Sequence, residues 1–291
     1  MTTIWHDYHT VFGHGDHSSV SGTIKVARNI QSPQLGNQRH LLVYLPPSYN
    51  NNSYQHYPVL YMQDGQNLFD NATSFAGEWG VDEAMETLAR QEGLEAIVVG
   101  IPNTGHTRLA EYSPFVDSQL GGGLGDKYVS FVAHTVKPII DRDFRTLPDQ
   151  PNCGIMGSSM GGLISLYAFF HCPDVFGFAG VMSPSLWFGH GRIFPYVREA
   201  AYHPGKIYLD VGTREHGDDD WSGVFIRRTR SRQSYARVRR LKRILVNKGY
   251  RPIHDLLHIE EKWANHNEAA WRRRLPKALQ FFIKQSSAVA S

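Results

Sequence analysis

Apolar residues in this chain gather in short continuous runs, separated by longer stretches in which they return every three or four positions. Residues 41–45, 58–62, 96–101, 154–156, 178–182, 206–211 and 256–259 are apolar, β-branched or aromatic and read as strands, the first closed by Pro46-Pro47. Residues 81–90, 127–140, 163–170, 235–247 and 268–284 carry helical spacing. Strands alternating with helices predict an α/β domain with a mainly parallel central sheet of about eight strands. Right-handed crossovers put the helices on both faces of such a sheet. Residues 23–26 and 41–45 follow one another with no helix between them, which predicts an antiparallel start.

Composition sharpens this picture in a few places. A chain of 291 residues with 41% hydrophobic content buries a large core, and one domain over residues 1–291 is expected, with loosely held termini at 1–20 and 286–291. Lysine and arginine (30) nearly balance aspartate and glutamate (27), so the net charge of +3 points to neither nucleic acid nor membrane as a partner. No apolar run approaches a membrane span, and the first ten residues lack the basic start and apolar core of a secretory signal. Cys153 and Cys172 read as buried thiols, and a cytoplasmic protein is expected. Residues 227–243 are strongly basic, but Tyr235, Val238, Leu241 and Ile244 recur every three positions, so the stretch reads as an amphipathic helix with a solvated arginine face. His6, His9, His14 and His17 match no ligand spacing, and no metal or cofactor is expected.

The chemistry centres on Gly157-Ser158-Ser159-Met160-Gly161, the G-x-S-x-G pattern of a sharp strand-to-helix turn that leaves its central serine exposed. Context supports it, because Gly154-Ile155-Met156 leads in as a strand and a small, apolar helix follows. A serine hydroxyl needs a histidine to take its proton and a carboxylate to orient that histidine. Of the histidines after Ser159, His266 lies between the last strand and the last helix, where the carboxyl edge of the sheet presents a loop. The acid is expected just after the preceding strand, where Glu215 is favoured and Asp218, Asp219 and Asp220 remain alternatives. Backbone N–H groups of Met160 and of Gln66, in the turn at Asp64-Gly65, are candidates to stabilise an oxyanion. Trp187, Phe188, Phe75, Trp79 and Trp221 are candidates for the wall of an apolar pocket.

Four segments together resemble the esterase family that includes enterochelin esterases, feruloyl esterase domains, esterase D and the mycolyltransferases. They are Val59-Leu60-Tyr61-Met62-Gln63-Asp64-Gly65-Gln66-Asn67-Leu68-Phe69, the serine motif through Gly162, Gly212-Thr213-Arg214-Glu215, and His266-Asn267-Glu268-Ala269-Ala270-Trp271. The resemblance implies an α/β-hydrolase fold without a large lid domain, catalysis by Ser159, Glu215 and His266, and oxyanion donors at Gln66 and Met160. It adds Arg108, in a segment similar to the family's loop near the active site. Relatives often carry aspartate where this chain has Glu215. The expected function is a serine carboxylesterase acting on a small-molecule ester with a short or aromatic acyl group. The alternatives are an acyltransferase that passes the acyl group to an alcohol, and a non-catalytic binding protein on the same fold.

Overall fold

The continuous apolar runs become the middle of one sheet. In the computed structural model, which describes residues 2–13, 18–217 and 224–289, the strands in chain order are β1 Trp5–Asp7, β2 Thr23–Ser32, β3 Asn37–Leu45, β4 Val59–Gln63, β5 Ile97–Ile101, β6 Val116–Asp117, β7 Gly121–Gly122, β8 Cys153–Ser158, β9 Phe178–Met182, β10 Lys206–Gly212 and β11 Leu256–Glu261. Nine form the main sheet in the order β1-β2-β3-β5-β4-β8-β9-β10-β11, while β6 and β7 pair separately. β1, β2 and β3 are antiparallel, and β3 pairs antiparallel with β5. From β5 through β4, β8, β9 and β10 to β11, every pairing is parallel. Every residue of β4, β5, β8 and β9 is buried, as strands covered on both faces require.

Successive strand residues face opposite sides, so each strand feeds two cores. Tyr61, Val99 and Ile155 join one cluster with Leu163 and Leu166 of the helix Met160–His171 and with Leu241 and Leu245 of the helix Val224–Lys248. Leu60, Val98 and Met156 join the other with Met85 and Leu88 of the helix Val81–Glu92 and with Leu275 and Leu279 of the helix Glu268–Val289. This is the architecture of an α/β-hydrolase, with no lid domain among the described residues. No helix of the described residues is long and apolar enough to cross a membrane.

Three segments differ from the sequence reading. The stretch expected over 127–140 is a helix, Gly125–Phe131, then a π-helical turn, Val132–Val136, then a helix, Lys137–Asp143. Pro138 lacks an N–H and would clash with a carbonyl one turn back, and the wider turn before it relieves both. The basic helix starts at Val224, upstream of the spacing read from 235, because residues 227–234 carry no apolar residue to mark a helical period. The expectation of a loose N-terminus is corrected for the described residues up to 13. Trp5 Nε1 donates to Asp143 at 2.9 Å, the buried Tyr8 hydroxyl donates to Asp70 at 2.9 Å, and β1 pairs with β2. His14 and His17 lie outside the described residues.

Past that start, Ser21 N–H donates to Asp82 Oδ2 at 2.6 Å, in a group where the carboxylates of Glu78, Asp82 and Glu83 come within 4.8 Å of one another. Arg272 reaches Glu78 at 3.1 Å and Glu83 at 3.2 Å. Asp82 is fully buried, and burial followed by its contact with the Glu83 carboxyl pushes its pKa up to about 9. The folded protein therefore keeps a proton that the unfolded chain releases near pH 4, and this contribution to stability is lost as pH rises toward about 9. Asp82→Asn is expected to shrink the fall in Tm between roughly pH 5.5 and 8.5. Equal falls in the two proteins, measured by calorimetry, would mean that Asp82 is ionised throughout.

Candidate active site

Four parallel strands end at one edge of the sheet and deliver the site. β8 turns into the helix Met160–His171 at Ser159, whose backbone has φ 57° and ψ −119°. This strained conformation is fixed from both sides: Ser159 N–H donates to the Met182 carbonyl and Ser185 N–H to the Ser159 carbonyl, each at 3.0 Å. Gly157 has a steric reason. A Cβ there would lie 2.6 Å from Gln63 Oε1 and 2.9 Å from the backbone of Gly161. Ser159 Oγ hydrogen-bonds Ser185 Oγ at 3.1 Å.

β10 and β11 bring the acid to the histidine. Thr213 N–H donates to the Glu261 carbonyl and Arg214 N–H to the Ala264 carbonyl, both at 3.0 Å, so the two loops run side by side. Glu215 Oε2 then meets His266 Nδ1 at 2.5 Å. Its other oxygen accepts from the Ser183 hydroxyl at 2.8 Å and from Gly212 N–H. Burial pushes the Glu215 carboxyl up, but the hydrogen bond and charge of His266, with Gly212 and Ser183, outweigh it and hold the group below the ordinary glutamate value. Asn267 Oδ1 accepts the Ala270 N–H at 3.0 Å and caps the last helix, which ties His266 to a rigid element. The imidazole stands edge-on to Trp271, with ring centres 5.1 Å apart.

Behind this pair lies a layer that sequence reasoning missed. Arg274 Nη2 donates to Ser183 Oγ at 2.9 Å, its Nε to Asp210 at 2.8 Å and its Nη1 to Glu261 at 2.7 Å. Asp210 also accepts from Ser183 N–H at 2.9 Å and from Tyr208 at 3.0 Å. Ser183 itself has φ 39°. Nothing in the sequence separates Arg274 from Arg272 and Arg273 beside it, and Ser183 and Ser185 stand out only as neighbours of Trp187.

Ser159 and His266 open on two hollows. The larger, about 760 Å³, is walled by Trp79, Trp271, Phe75, Gln66, Arg108 and Glu268 among others. The smaller, about 150 Å³, is lined by Trp187, Ser185, His216, Ser234 and Val238. The aromatic candidates are therefore split, Trp79 and Phe75 on one side and Trp187 on the other. Phe188 is buried in the core, and Trp221 lies outside the described residues, as do Asp218, Asp219 and Asp220. Burial pushes the Glu268 carboxyl up.

Gln66 sits in the single turn Gly65–Asn67 and Met160 is the first residue of its helix, so the backbone N–H of each falls where no carbonyl of its own helix can accept it. A Cβ on Gly65 would meet the backbone of Gly100 and Ile101 at 2.6 Å, which makes glycine necessary for this approach. The Met160 side chain is core. Arg108 lines the larger hollow, with one edge of its guanidinium turned to a carboxylate of the protein itself. Nε and Nη2 hold the two oxygens of Asp64 at 2.8 and 2.7 Å, and Asn103 Nδ2 donates to the same carboxylate at 2.7 Å. Burial alone would lower the Arg108 pKa, but Asp64 more than offsets it and raises it.

A family model described as "Putative esterase" matches residues 32–282. An uncharacterized protein of Bacillus subtilis, YbbA, is 26% identical over 247 residues, which cover 82% of this chain and 90% of that protein. The siderophore enterobactin esterase of Emericella nidulans is 26% identical over 188 residues, 54% of this chain and 58% of that one. Among solved structures, the siderophore hydrolase EstA of Aspergillus nidulans superposes with a TM-score of 0.68 at 17% identity, over 92% of this chain and 95% of that chain.

If the Glu215–His266 bond prepares His266 to accept the Ser159 proton, Glu215→Gln should slow labelling of Ser159 by a fluorophosphonate by about 10³-fold or more. Mass spectrometry of the labelled peptide reads this. Unchanged labelling would remove Glu215 from the site and return the role to the loop of Asp218, Asp219 and Asp220.

Proposed function

The chain belongs to the family described as "Putative esterase", and from that membership we propose a serine carboxylesterase that cleaves short or aromatic acyl esters through an acyl-enzyme intermediate. The observation that carries this reading is the strained Ser159 facing the same hollow as a His266 imidazole held by Glu215.

In this reading Ser159 Oγ attacks the ester carbonyl while His266 Nε2 takes its proton. Glu215 keeps the Nδ1 proton in place and balances the imidazolium that forms. The carbonyl oxygen becomes an alkoxide, and the N–H groups of Gln66 and Met160 donate to it. Collapse breaks the bond to the alcohol oxygen, which leaves with the proton from His266. Water, deprotonated by the same imidazole, then attacks the acyl-serine and regenerates Ser159. Ser159 Oγ rests on Ser185 Oγ before substrate arrives, and in this reading it turns toward His266 by rotation about its Cα–Cβ bond.

Substrate size follows from the walls. The larger hollow has the volume of an ordinary small-ligand site and a face made by Trp79 and Trp271, whose rings lie 5.5 Å apart. Its rim carries Phe75, which is 93% exposed. An aromatic or short acyl chain covers this surface, whereas a long lipid chain would leave most of its length in water. The two cysteines form no disulfide, Cys153 is buried, and the reaction needs no cofactor, which together support a cytoplasmic enzyme acting on a small molecule.

Ser159→Ala should lower kcat/KM by about 10⁴-fold or more with the fold intact. With p-nitrophenyl esters from acetate to palmitate, kcat/KM should be highest at short chains. Near-normal turnover by the alanine variant would refute the mechanism, and a maximum at palmitate would refute the assignment of the acyl wall.

A further inference from the structure

The cation of the larger hollow, Arg108, is already paired with Asp64 through one edge of its guanidinium. The wall of the smaller hollow includes Ser234 and Val238 of the helix Val224–Lys248, a segment with ten arginines and lysines and no acidic residue. Several of these cations are occupied: Arg239 pairs with Glu260 at 2.8 Å, and Arg240 stacks on Phe194 at 4.3 Å. Arg230 and Arg237 form no ion pair among the described residues. They stand four residues before and three residues after Ser234, on the same stripe of the helix. Ser234 Oγ in turn lies 3.2 Å from His216 Nε2, and His216 N–H donates to Ser231 Oγ at 3.1 Å, so the stripe is fastened to the lining of the hollow.

We propose that the smaller hollow receives an anionic end of the ester, a carboxylate or a phosphate, and that Arg230 and Arg237 at its edge bind that charge. The inference rests on the esterase reading of Ser159 and names the substrate class. Guanidinium groups pair with the two oxygens of a carboxylate or phosphate. The carboxylate that lines the hollow, Glu215, is buried and paired with His266. The arginines are close enough to act on the hollow's lining: burial first, then the charge of His266, and, against the opposing charge of Glu215, those of Arg230 and Arg237 disfavour protonation of His216. An ester bound across Ser159 would thus put its aromatic or apolar end against Trp79 and its anionic end toward the basic helix.

The test uses two matched pairs of esters. Phenyl acetate against 4-acetoxybenzoate places the charge on the alcohol side, and p-nitrophenyl butyrate against the p-nitrophenyl monoester of succinate places it on the acyl side. One anionic ester of the two pairs is expected to show a KM about tenfold below its neutral partner at low salt. Added salt, or the double variant Arg230→Gln/Arg237→Gln, should abolish that advantage and leave the neutral esters unchanged. Calorimetric binding of the same two anions to Ser159→Ala protein reads the anion site without turnover. Failure of all ester cleavage with retained, arginine-dependent binding would overturn the esterase reading alone. Anionic and neutral esters treated alike, or equal losses on both in the double variant, would overturn the anion site.

Discussion

A buried ion pair anchors the site. Asp210, in the middle of β10, and Arg274, on the last helix, meet at 2.8 Å with almost no solvent exposure, at 0 and 4% of their side-chain surfaces. Removing two charges from water is costly, and attraction repays it only when every remaining donor and acceptor is satisfied. Here each nitrogen of Arg274 and each oxygen of Asp210 has a partner: Tyr208 and Ser183 N–H join Arg274 on Asp210, while Ser183 Oγ and Glu261 join Asp210 on Arg274. The consequence reaches the surface through one hydroxyl. Ser183 is held by Arg274 on one side and donates to Glu215 on the other, so the carboxylate that orients His266 is set by a pair buried beneath it. Because the pair joins β10 to the last helix, which begins just after His266, the acid and the base inherit their spacing from the packing of two rigid elements.

Strain gathers above this anchor. Asp64, Ser159 and Ser183 all have positive φ, a conformation that costs about 1–3 kcal/mol at each such residue. Each bears on one part of the proposed site: Asp64 begins the turn that carries Gln66 and binds Arg108, Ser159 turns β8 into its helix, and Ser183 donates to Glu215. The strand register holds them. Ser158 lies opposite Met182 in the β8–β9 ladder, so the two strands deliver Ser159 and Ser183 side by side at the same edge. Charge divides the space around Ser159 in a complementary way, with a neutralised Arg108 and a tryptophan pair on one side and a basic helix on the other.

Much of this was legible in the chain, for identifiable reasons. Strands buried on both faces must be continuous apolar runs, so β4, β5, β8 and β9 announced themselves. The elbow glycine Gly157 is dictated by contacts under 3 Å, and a steric demand of that kind leaves a motif. His266 was singled out by its place after the last strand, and the structure sets it beside Glu215. The remainder depends on long-range pairing and leaves no local pattern. Arg274 sits in a run of three arginines of which only it is buried, and the difference is set by Asp210, 64 residues away. Nothing local to Arg108 reveals that it is bound to Asp64, 44 residues upstream. The N-terminal strand is only three residues, Trp5-His6-Asp7, too short for a period-2 pattern to show, and its order comes from bonds such as Trp5 to Asp143.

The central claim is that the buried pair acts on Ser159 through Ser183 and Glu215. The rate of the first acylation, read as the burst of p-nitrophenol from p-nitrophenyl acetate, measures this in Ser183→Ala protein whose Tm shows it is folded. The account predicts that Ser159 is still acylated but about 10²-fold more slowly, because His266 loses its fixed position. A burst of unchanged rate would show that Glu215 and His266 hold their geometry without the layer beneath them, and would contradict it.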